Sequence, residues 1–237
     1  MKNGKLYGNF FAFLPEVKRF LLETVYPERA VCRFCGRITR GGVLCEECEG
    51  RLRADGMTMA WDWEELEEDL YAYVLRPYTG VARRLVIRLK HSAEKCLAEE
   101  LANLILPVPE HIEFAPETTV TWVPMPGSRK RERCIDHGQL LAEAAAERLH
   151  LPCRQLLIRM ETGDRPQATL DRSGREANLT RAFRPAADRI DGPVLLVDDV
   201  LTTGTTVRRC AAALRKAGAR DITVLAVTRA TVGGQRD

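Results

Sequence analysis

One stretch, residues 192–206, constrains the fold of this chain more than any other part of its sequence. It contains an apolar run at residues 194–197, followed by two carboxylates, Asp198 and Asp199, and a threonine-rich turn. Beyond the turn, apolar residues at spacings of three and four predict a helix that ends near Gly218. The order of strand, loop and helix predicts that polar groups gather where a buried strand leads into a helix N-terminus.

The threonine-rich turn is suited to an anion. A helix N-terminus presents unpaired N–H groups and a partial positive charge, and threonine hydroxyls add hydrogen-bond donors. No lysine follows Gly204, as it would in a nucleoside triphosphate loop, and the acids precede the turn, unlike in a dinucleotide fingerprint. The predicted phosphate-binding residues are Thr202, Thr203, Gly204, Thr205 and Thr206.

Two carboxylates at the end of the strand complete this prediction. Asp198 and Asp199 can accept hydrogen bonds from a sugar diol or hold Mg²⁺ while the neighbouring turn binds one phosphate. A phosphorylated ribose fits both halves of the stretch. The alternative is a strand end whose aspartates only cap the next helix.

Four cysteines form the second motif. Cys32-x-x-Cys35 and Cys45-x-x-Cys48 are separated by nine residues, and four thiolates satisfy tetrahedral Zn²⁺. Because all four ligands are used, we expect a structural zinc ion and no catalytic metal there. The alternatives are a site that has lost its metal, a redox pair or an iron cluster, although neither a βαβ setting nor iron-type spacing is visible.

Residues 29–53 around these cysteines carry six arginines and three glutamates, a net charge of +3. This segment could contact nucleic acid or could be an ordinary solvated surface. The second interpretation is favoured, because Phe34 is the only aromatic residue that accompanies the charges. The net charge of the whole chain, also +3, is too small to imply a nucleic-acid partner.

The chain of 237 residues can hold one α/β domain and a small accessory module. Strands that alternate with helices predict a mainly parallel sheet flanked by helices. No apolar run approaches the roughly 18 residues of a membrane span, so a cytoplasmic protein is expected. The predicted segments are an amphipathic helix at 1–28, the zinc knuckle at 29–54, an acidic linker at 55–69, the α/β domain at 70–232 and a tail at 233–237.

Residues 194–206 resemble the phosphoribosyl pyrophosphate (PRPP) signature of type I phosphoribosyltransferases, and the wider chain is similar to the ComF family of that superfamily. The resemblance implies the type I phosphoribosyltransferase fold and a transferase that binds PRPP with Mg²⁺ and releases pyrophosphate. Asp198 and Asp199 would then be the catalytic acids. It also implies an alternative, a competence protein for DNA uptake that binds single-stranded DNA or a DNA-processing partner, with a regulatory PRPP site. A third possibility is a PRPP sensor alone.

Basic residues supply candidates for binding pyrophosphate. Cations that follow the strand at 119–126 lie where ligand loops of parallel sheets collect, and the ComF resemblance agrees with this placement. The same resemblance implies that Lys90 approaches the substrate, although a surface lysine is equally consistent with the sequence. An exposed turn is the alternative for the basic run. The candidates are Ser128, Arg129, Lys130, Arg131 and Lys90.

The segment after this basic run, residues 134–139, departs from the ComF pattern and leaves Asp136 and His137 without a predicted role. Only Gln139 is aligned. Residues 161–184 resemble the ComF hood, a mobile segment that would close over the leaving group and exclude water. A surface hairpin or helix edge is the alternative. The hood candidates are Arg165, Gln167, Arg175 and Asn178, and nothing in their pattern identifies an acceptor.

Overall fold

The structure, a computed structural model, describes residues 31–39, 42–54, 62–92, 94–105, 113–126, 136–160 and 182–230. The chain divides into two compact units, residues 1–51 and 52–237. The predicted N-terminal helix at 1–28 and the tail at 233–237 lie outside the described residues and stay predictions.

In the described part of the first unit, tight turns surround the four cysteines. Gly36 follows the first cysteine pair with a φ of 79°, a left-handed conformation that glycine adopts without steric cost. Val31 and Ile38 then pair in a short antiparallel bridge. Helix α1, Glu46–Ala54, begins directly after Cys45, so that Cys48 lies in its first turn.

The second unit contains a five-stranded sheet in the order β1-β2-β7-β6-β3. Strands β2, β7, β6 and β3 run parallel, and β1 is antiparallel at the edge. The prediction of a mainly parallel sheet is therefore confirmed. The strands of this sheet are β1 Asp62–Glu67, β2 Leu70–Pro77, β3 Thr119–Trp122, β6 Val194–Leu201 and β7 Ile222–Arg229.

A second, smaller sheet pairs β4, Leu157–Arg159, with β5, Phe183–Pro185, in antiparallel fashion. Most of the segment predicted as a hood, residues 161–181, lies outside the described residues. Only its last residues reach β5. The hood therefore stays a prediction.

The described residues of the second unit include four helices: α2 Gly80–Ser92, α3 Lys95–Ile105, α4 His137–Leu149 and α5 Thr205–Lys216. Their apolar faces are buried, as the three-and-four spacing predicts. Strand β6 has no solvent-facing side over residues 194–197, which are all buried, as expected for a central parallel strand. Each fully buried leucine of such a core contributes about 1.5–3 kcal/mol.

The prediction of an acidic linker at 55–69 is wrong over residues 62–67, which form β1. Acidic side chains of this strand are neutralised by distant arginines: Glu64 pairs with Arg229 at 2.6 Å, and Glu67 pairs with Arg215 at 2.5 Å. Leu66 lies between these glutamates and is buried in the core. A run of like charges therefore forms an edge strand here, because arginines that are distant in sequence pair with its glutamates and because Leu66 is buried.

Within the described ranges, no helix is long and apolar enough to cross a membrane.

Candidate functional site

The site begins in the second half of β6. This strand continues past the apolar run to Leu201, because Asp198 and Val200 pair in register with Ala226 and Thr228 of β7. The two acids therefore lie within the ladder, near its carboxyl end. Successive side chains of a strand point to opposite faces, so Asp198 and Asp199 face opposite sides of the sheet.

Asp198 lies on the α5 side of the sheet. Val194 and Leu196, which share its face by alternation, pack in one cluster with apolar residues of α5. The pKa of the Cys210 thiol, on α5, is raised by burial and by the negative charge of Asp198. One carboxylate oxygen of Asp198 accepts a hydrogen bond from the backbone N–H of Asp199 at 2.9 Å.

Asp199, on the other face, is held by two nitrogen donors. Its Oδ1 lies 2.9 Å from Lys90 Nζ, in the last turn of α2, and its Oδ2 lies 3.0 Å from His137 Nε2, at the start of α4. The side chain of Asp199 is only 8% exposed. Its backbone carbonyl also accepts a hydrogen bond from the Thr228 hydroxyl at 3.0 Å. Three elements in addition to β6 therefore fix this one residue.

The N-cap of α4 explains why His137 reaches this position. Asp136 is buried, and its carboxylate accepts hydrogen bonds from the N–H of Gly138 at 3.0 Å and the N–H of Met125 at 3.4 Å. The first bond caps the helix, and the second ties its start to the segment that follows β3. His137, the first residue of the helix, is thereby placed at the carboxyl edge of the sheet.

The two acids differ in their electrostatics. Burial raises the pKa of Asp198 to about 8, and repulsion from the neighbouring Asp199 adds to the shift. Burial alone would also raise the pKa of Asp199. The hydrogen bond from His137 and the charge of Lys90 outweigh that effect, so the pKa of Asp199 is lowered. Asp199 is therefore the ionised member of the pair at neutral pH, and Asp198 is the member that holds a proton.

The threonine-rich turn is open to solvent. Thr202, Thr203, Thr205 and Thr206 are exposed, and the hydroxyls of Thr203 and Thr205 lie 2.8 Å apart. Helix α5 begins without a side-chain cap, so its first N–H groups remain available to a ligand. These exposed donors, next to an acid pair, are the chemistry that a phosphorylated sugar requires.

Gly204 is required at the centre of this turn. It is buried with a φ of 74°, and a Cβ at this position would lie 2.9 Å from Leu66 Cδ2. Arg208 stabilises the turn by donating hydrogen bonds to the carbonyls of Thr203 at 2.7 Å and Leu66 at 2.9 Å. Strand β1, which the sequence does not identify as a strand, thus supports the predicted phosphate loop.

The other predicted site residues differ in their positions relative to the acid pair. Lys90 is brought to Asp199, whereas Gln139 points elsewhere and donates to Glu143 along α4 at 2.8 Å. His137 is the residue that the sequence prediction left without a role. An aspartate directly before the apolar periodicity of α4 is an N-cap signal that could have placed it. The pyrophosphate candidates Ser128, Arg129, Lys130 and Arg131 and the hood candidates Arg165, Gln167, Arg175 and Asn178 lie outside the described residues.

The four cysteines of the first unit converge. The sulfur atoms of Cys32, Cys35, Cys45 and Cys48 all lie within 4.8 Å of one another. Cys35 Sγ and Cys45 Sγ are 3.7 Å apart, too far for a disulfide. Zinc–sulfur bonds of about 2.3 Å in a tetrahedron place the sulfurs about 3.8 Å apart, so this donor set fits a structural zinc ion.

Basic groups near the cysteines have specific partners. Backbone and side-chain hydrogen bonds from Arg37 lower the pKa of Cys35 to about 6, which favours the thiolate that a metal needs. Arg37 also pairs with Glu47, and Arg51 donates to the same carboxylate at 2.8 Å. Part of the positive charge predicted as a surface patch is therefore neutralised locally.

The class of protein follows from this fold and from comparison with known families. Residues 134–235 match the phosphoribosyl transferase domain family. The second unit thus combines a match to this domain family over residues 134–235 with a mostly parallel sheet flanked by helices, and the prediction of this fold class is confirmed.

Relatives extend the similarity to most of the chain. Competence protein F of Haemophilus influenzae is 22% identical over 212 residues, which cover 86% of this chain and 92% of that protein. The DNA utilization protein YhgH of Escherichia coli is 25% identical over 205 residues, covering 84% and 90% respectively. The chain is therefore a homologue of Competence protein F and YhgH, which confirms the resemblance to the ComF family.

Among solved structures, glutamine PRPP amidotransferase from B. subtilis matches with 25% identity and a TM-score of 0.38. The match covers 57% of this chain and 26% of that one.

Proposed function

We propose that the chain binds PRPP, or a related sugar phosphate, together with Mg²⁺ and transfers the phosphoribosyl group to an acceptor. The observation that carries this proposal is the juxtaposition, on consecutive residues of one strand and loop, of an acid pair and an open threonine-lined turn at a helix N-terminus. The phosphoribosyl transferase family match over residues 134–235 supports it.

In this proposal, residues Thr202 to Thr206 bind the 5′-phosphate through hydroxyls and helix N–H groups. The acid pair directs the ribose diol. Carboxylate and phosphate oxygens are the ligands that Mg²⁺ prefers, and its charge would offset that of pyrophosphate. Arg129, Lys130 and Arg131 are proposed to neutralise the pyrophosphate as it leaves.

The reaction breaks the bond between C1′ and the pyrophosphate oxygen while C1′ bonds to the acceptor. Positive charge develops at C1′, as in an oxocarbenium-like state of a glycosidic carbon. The protein contributes chiefly position and electrostatics, and one well-aimed donor at such a site is worth roughly 3 kcal/mol. The hood residues Arg165, Gln167, Arg175 and Asn178 are proposed to close over the site and exclude water.

The proposal is tested by replacing both acids. The double variant Asp198→Asn/Asp199→Asn is expected to lose Mg²⁺-dependent PRPP binding in calorimetry while its circular dichroism spectrum remains that of the wild type. Asp191→Asn, an exposed carboxylate outside the site, is the matched control. An unchanged affinity of the double variant would reject the assignment of this site.

Transfer is tested separately from binding. Wild-type protein is incubated with PRPP, Mg²⁺ and a panel of bases and amines, and pyrophosphate release is measured. Release that depends on an added acceptor supports a transferase. Binding without release in any mixture would favour a PRPP sensor.

A second candidate function is a role in competence and DNA uptake, through single-stranded DNA or a DNA-processing partner, with the PRPP site regulatory. The names of the homologues, Competence protein F and DNA utilization protein, support it. The test is single-stranded DNA binding that weakens steeply with salt and is lost in the triple variant Arg33→Ala/Arg37→Ala/Arg40→Ala. Binding that survives in this variant would exclude the cysteine unit as the DNA site.

We place this function in the cytoplasm. The described cysteines are all free thiols, and a thiolate zinc site persists where cysteines are kept reduced. Detection of the protein in a cytosolic fraction by antibody would test this placement.

A further inference from the structure

Two large aromatic side chains, which the proposed function does not use, lie exposed at the β1 edge of the main sheet. Trp63 of β1 is 58% exposed, and Tyr71 of β2 is 37% exposed. Their ring centroids are 6.1 Å apart, and the ring planes are inclined by 52°. Aromatic residues are enriched at the centres of protein–protein interfaces, so this adjacent pair is a candidate contact surface.

The strand register places a carboxylate on the same face as the aromatic pair. Glu65 lies opposite Tyr71 in the ladder of β1 with β2, and Trp63 lies opposite Tyr73. Residues that are directly opposite each other share one face of a sheet. Ala72 alternates with the two tyrosines and is buried in the cluster that contains α5. The aromatic face is therefore turned away from α5.

The two edges of the sheet differ in how their backbone groups are covered. On the β3 edge, Val120 forms a parallel bridge with Cys153, and its N–H donates to the carbonyl of Pro152 at 2.8 Å. On the other edge, β1 pairs with β2 alone among the described residues. The outward N–H and C=O groups of an edge strand can pair with an added strand. The β1 edge is therefore the side of the sheet that is open to such pairing.

Charge indicates which kind of partner fits this surface. Glu65 is exposed on the aromatic face, and Glu68 and Asp69 are exposed where β1 turns into β2. Single-stranded nucleic acid also stacks on aromatic rings, but it needs cations along its phosphates, and residues 62–69 contain no lysine or arginine. A lysine or arginine side chain is attracted both to an aromatic face and to a carboxylate. The surface therefore favours a cationic peptide over a nucleic acid.

We propose that Trp63, Glu65 and Tyr71, together with the open edge at residues 62–65, bind an extended cationic segment of a protein partner. The segment adds to the sheet as a strand beside β1. Its residues opposite Trp63 and Glu65 lie on the aromatic face, so recognition requires lysine or arginine at two alternate positions. The ladder shifts register between Glu65 and Glu67, which confines regular pairing to residues 62–65. This role goes beyond the proposed function and does not depend on PRPP.

Binding is tested with short blocked peptides and NMR spectra of the full-length protein. The peptide Thr-Arg-Thr-Arg-Thr is expected to shift the backbone amides of residues 62–65 and the indole N–H of Trp63, and to slow amide exchange along this edge. The peptide Thr-Glu-Thr-Glu-Thr is expected to do neither. Absence of shifts at residues 62–65 with the arginine peptide would overturn the proposal.

A peptide of the same composition tests the added strand itself. In Thr-Arg-Arg-Thr-Thr the two arginines are adjacent, so a paired strand would turn them to opposite faces of the sheet. We expect this peptide to bind more weakly than the alternating one. Equal affinities of the two peptides would reduce the contact to attraction between opposite charges and would overturn strand pairing.

Two variants test the side chains that recognise the cation. Trp63→Ala is expected to weaken binding of the alternating peptide about two- to fivefold, as for the loss of one exposed cation–π contact. Glu65→Gln is expected to weaken binding and to reduce its dependence on salt. Glu117→Gln, an exposed glutamate outside β1, is the matched control and should bind as the wild type does. Melting temperatures show that the variants are folded, and wild-type affinity in both Trp63→Ala and Glu65→Gln would overturn the proposal.

Other occupants of this surface give different results. Oligothymidylate is expected to leave the Trp63 indole signal unchanged, and a shift larger than that caused by the arginine peptide would assign the surface to nucleic acid. Sedimentation is expected to show no self-association that Trp63→Ala abolishes, and a dimer that this variant dissociates would assign the face to a second copy of the chain. Either result would overturn the proposal. None of these measurements uses PRPP or Mg²⁺, so their failure leaves the proposed function untouched.

Discussion

At the scale of single residues, two adjacent carboxylates acquire different properties because strand alternation sends them to opposite faces of one sheet. Asp199 meets a lysine and a histidine there, and its pKa falls. Asp198 meets an apolar helix face, and its pKa rises to about 8. The dipeptide is symmetric in sequence, and only its surroundings differentiate the two side chains.

The raised pKa of Asp198 predicts how stability depends on pH. The folded protein keeps a proton at Asp198 up to about pH 8, whereas the unfolded chain releases it near the ordinary value of 3.8. This group's contribution to stability is therefore complete below about pH 4 and is lost as the pH rises to about 8. Asp198→Asn, which does not titrate, is expected to gain several degrees in melting temperature relative to the wild type as pH rises from 5 to 8.

Calorimetric or fluorescence melting curves across this pH range test the prediction. Asp191→Asn, on the surface, is the matched control and is expected to show no such trend. A difference between Asp198→Asn and wild type that stays constant with pH would contradict the raised pKa.

At the scale of elements, the threonine-rich turn at residues 202–206 depends on β1 as well as on its own sequence. Leu66 of β1 lies against the turn, and Arg208 of α5 links the carbonyls of Leu66 and Thr203. Gly204 is therefore constrained from two sides, by a positive φ and by the close approach of Leu66. Strand β1 is the edge strand of the sheet and does not pair with β6, yet it contacts the turn that follows β6 through Leu66.

Gly204→Ala tests this constraint. The left-handed backbone costs an alanine about 1–2 kcal/mol, and the Cβ must also displace Leu66. We expect lower stability in chemical denaturation and weaker PRPP binding in calorimetry. Gly192→Ala is the matched control: it has a φ of 86°, but its nearest Cβ contact would be an ordinary 3.5 Å. Gly192→Ala is expected to lose stability only, and an equal loss of affinity in both variants would contradict a specific role of the loop.

The forces that hold β1 can also be separated. The ion pair of Glu67 with Arg215 is about one-third exposed, and such pairs contribute about 0–1 kcal/mol. Leu66 is 9% exposed, and truncation of a core leucine costs about 2–5 kcal/mol. Leu66→Ala is therefore expected to destabilise the protein more than Glu67→Gln in urea unfolding. A larger effect of Glu67→Gln would mean that charge, and not burial, holds the strand.

At the scale of the whole molecule, one chain contains a small cysteine-rich unit and a larger unit that matches the phosphoribosyl transferase domain family over residues 134–235. The second unit has a buried core that stabilises it directly, whereas so small a first unit requires another source of stability. The convergence of four cysteine sulfurs within 4.8 Å provides one, if a metal is bound.

We expect one zinc ion per chain by elemental analysis. Cys48→Ser removes a buried ligand and is expected to lose the metal, after which proteolysis should cut within residues 31–54. Cys96→Ser, a buried cysteine outside the cluster, is the matched control and should retain zinc. Absence of zinc from freshly purified wild-type protein would contradict this prediction.

Local sequence determined the elements whose signals lie within a few residues of one another. The apolar run at 194–197, the helical spacing after Gly204 and the two Cys-x-x-Cys pairs each specify their structure through neighbours in the chain. Tertiary structure alone decided the features that need distant partners. Residues 62–67 form a strand because Leu66 packs into a core built by distant residues, and Arg215 and Arg229, 148 and 165 residues away, pair with Glu67 and Glu64. Asp199 differs from Asp198 because α2 and α4 bring Lys90 and His137 to one side of β6, and a pairing of residues so far apart in sequence leaves no local pattern to detect.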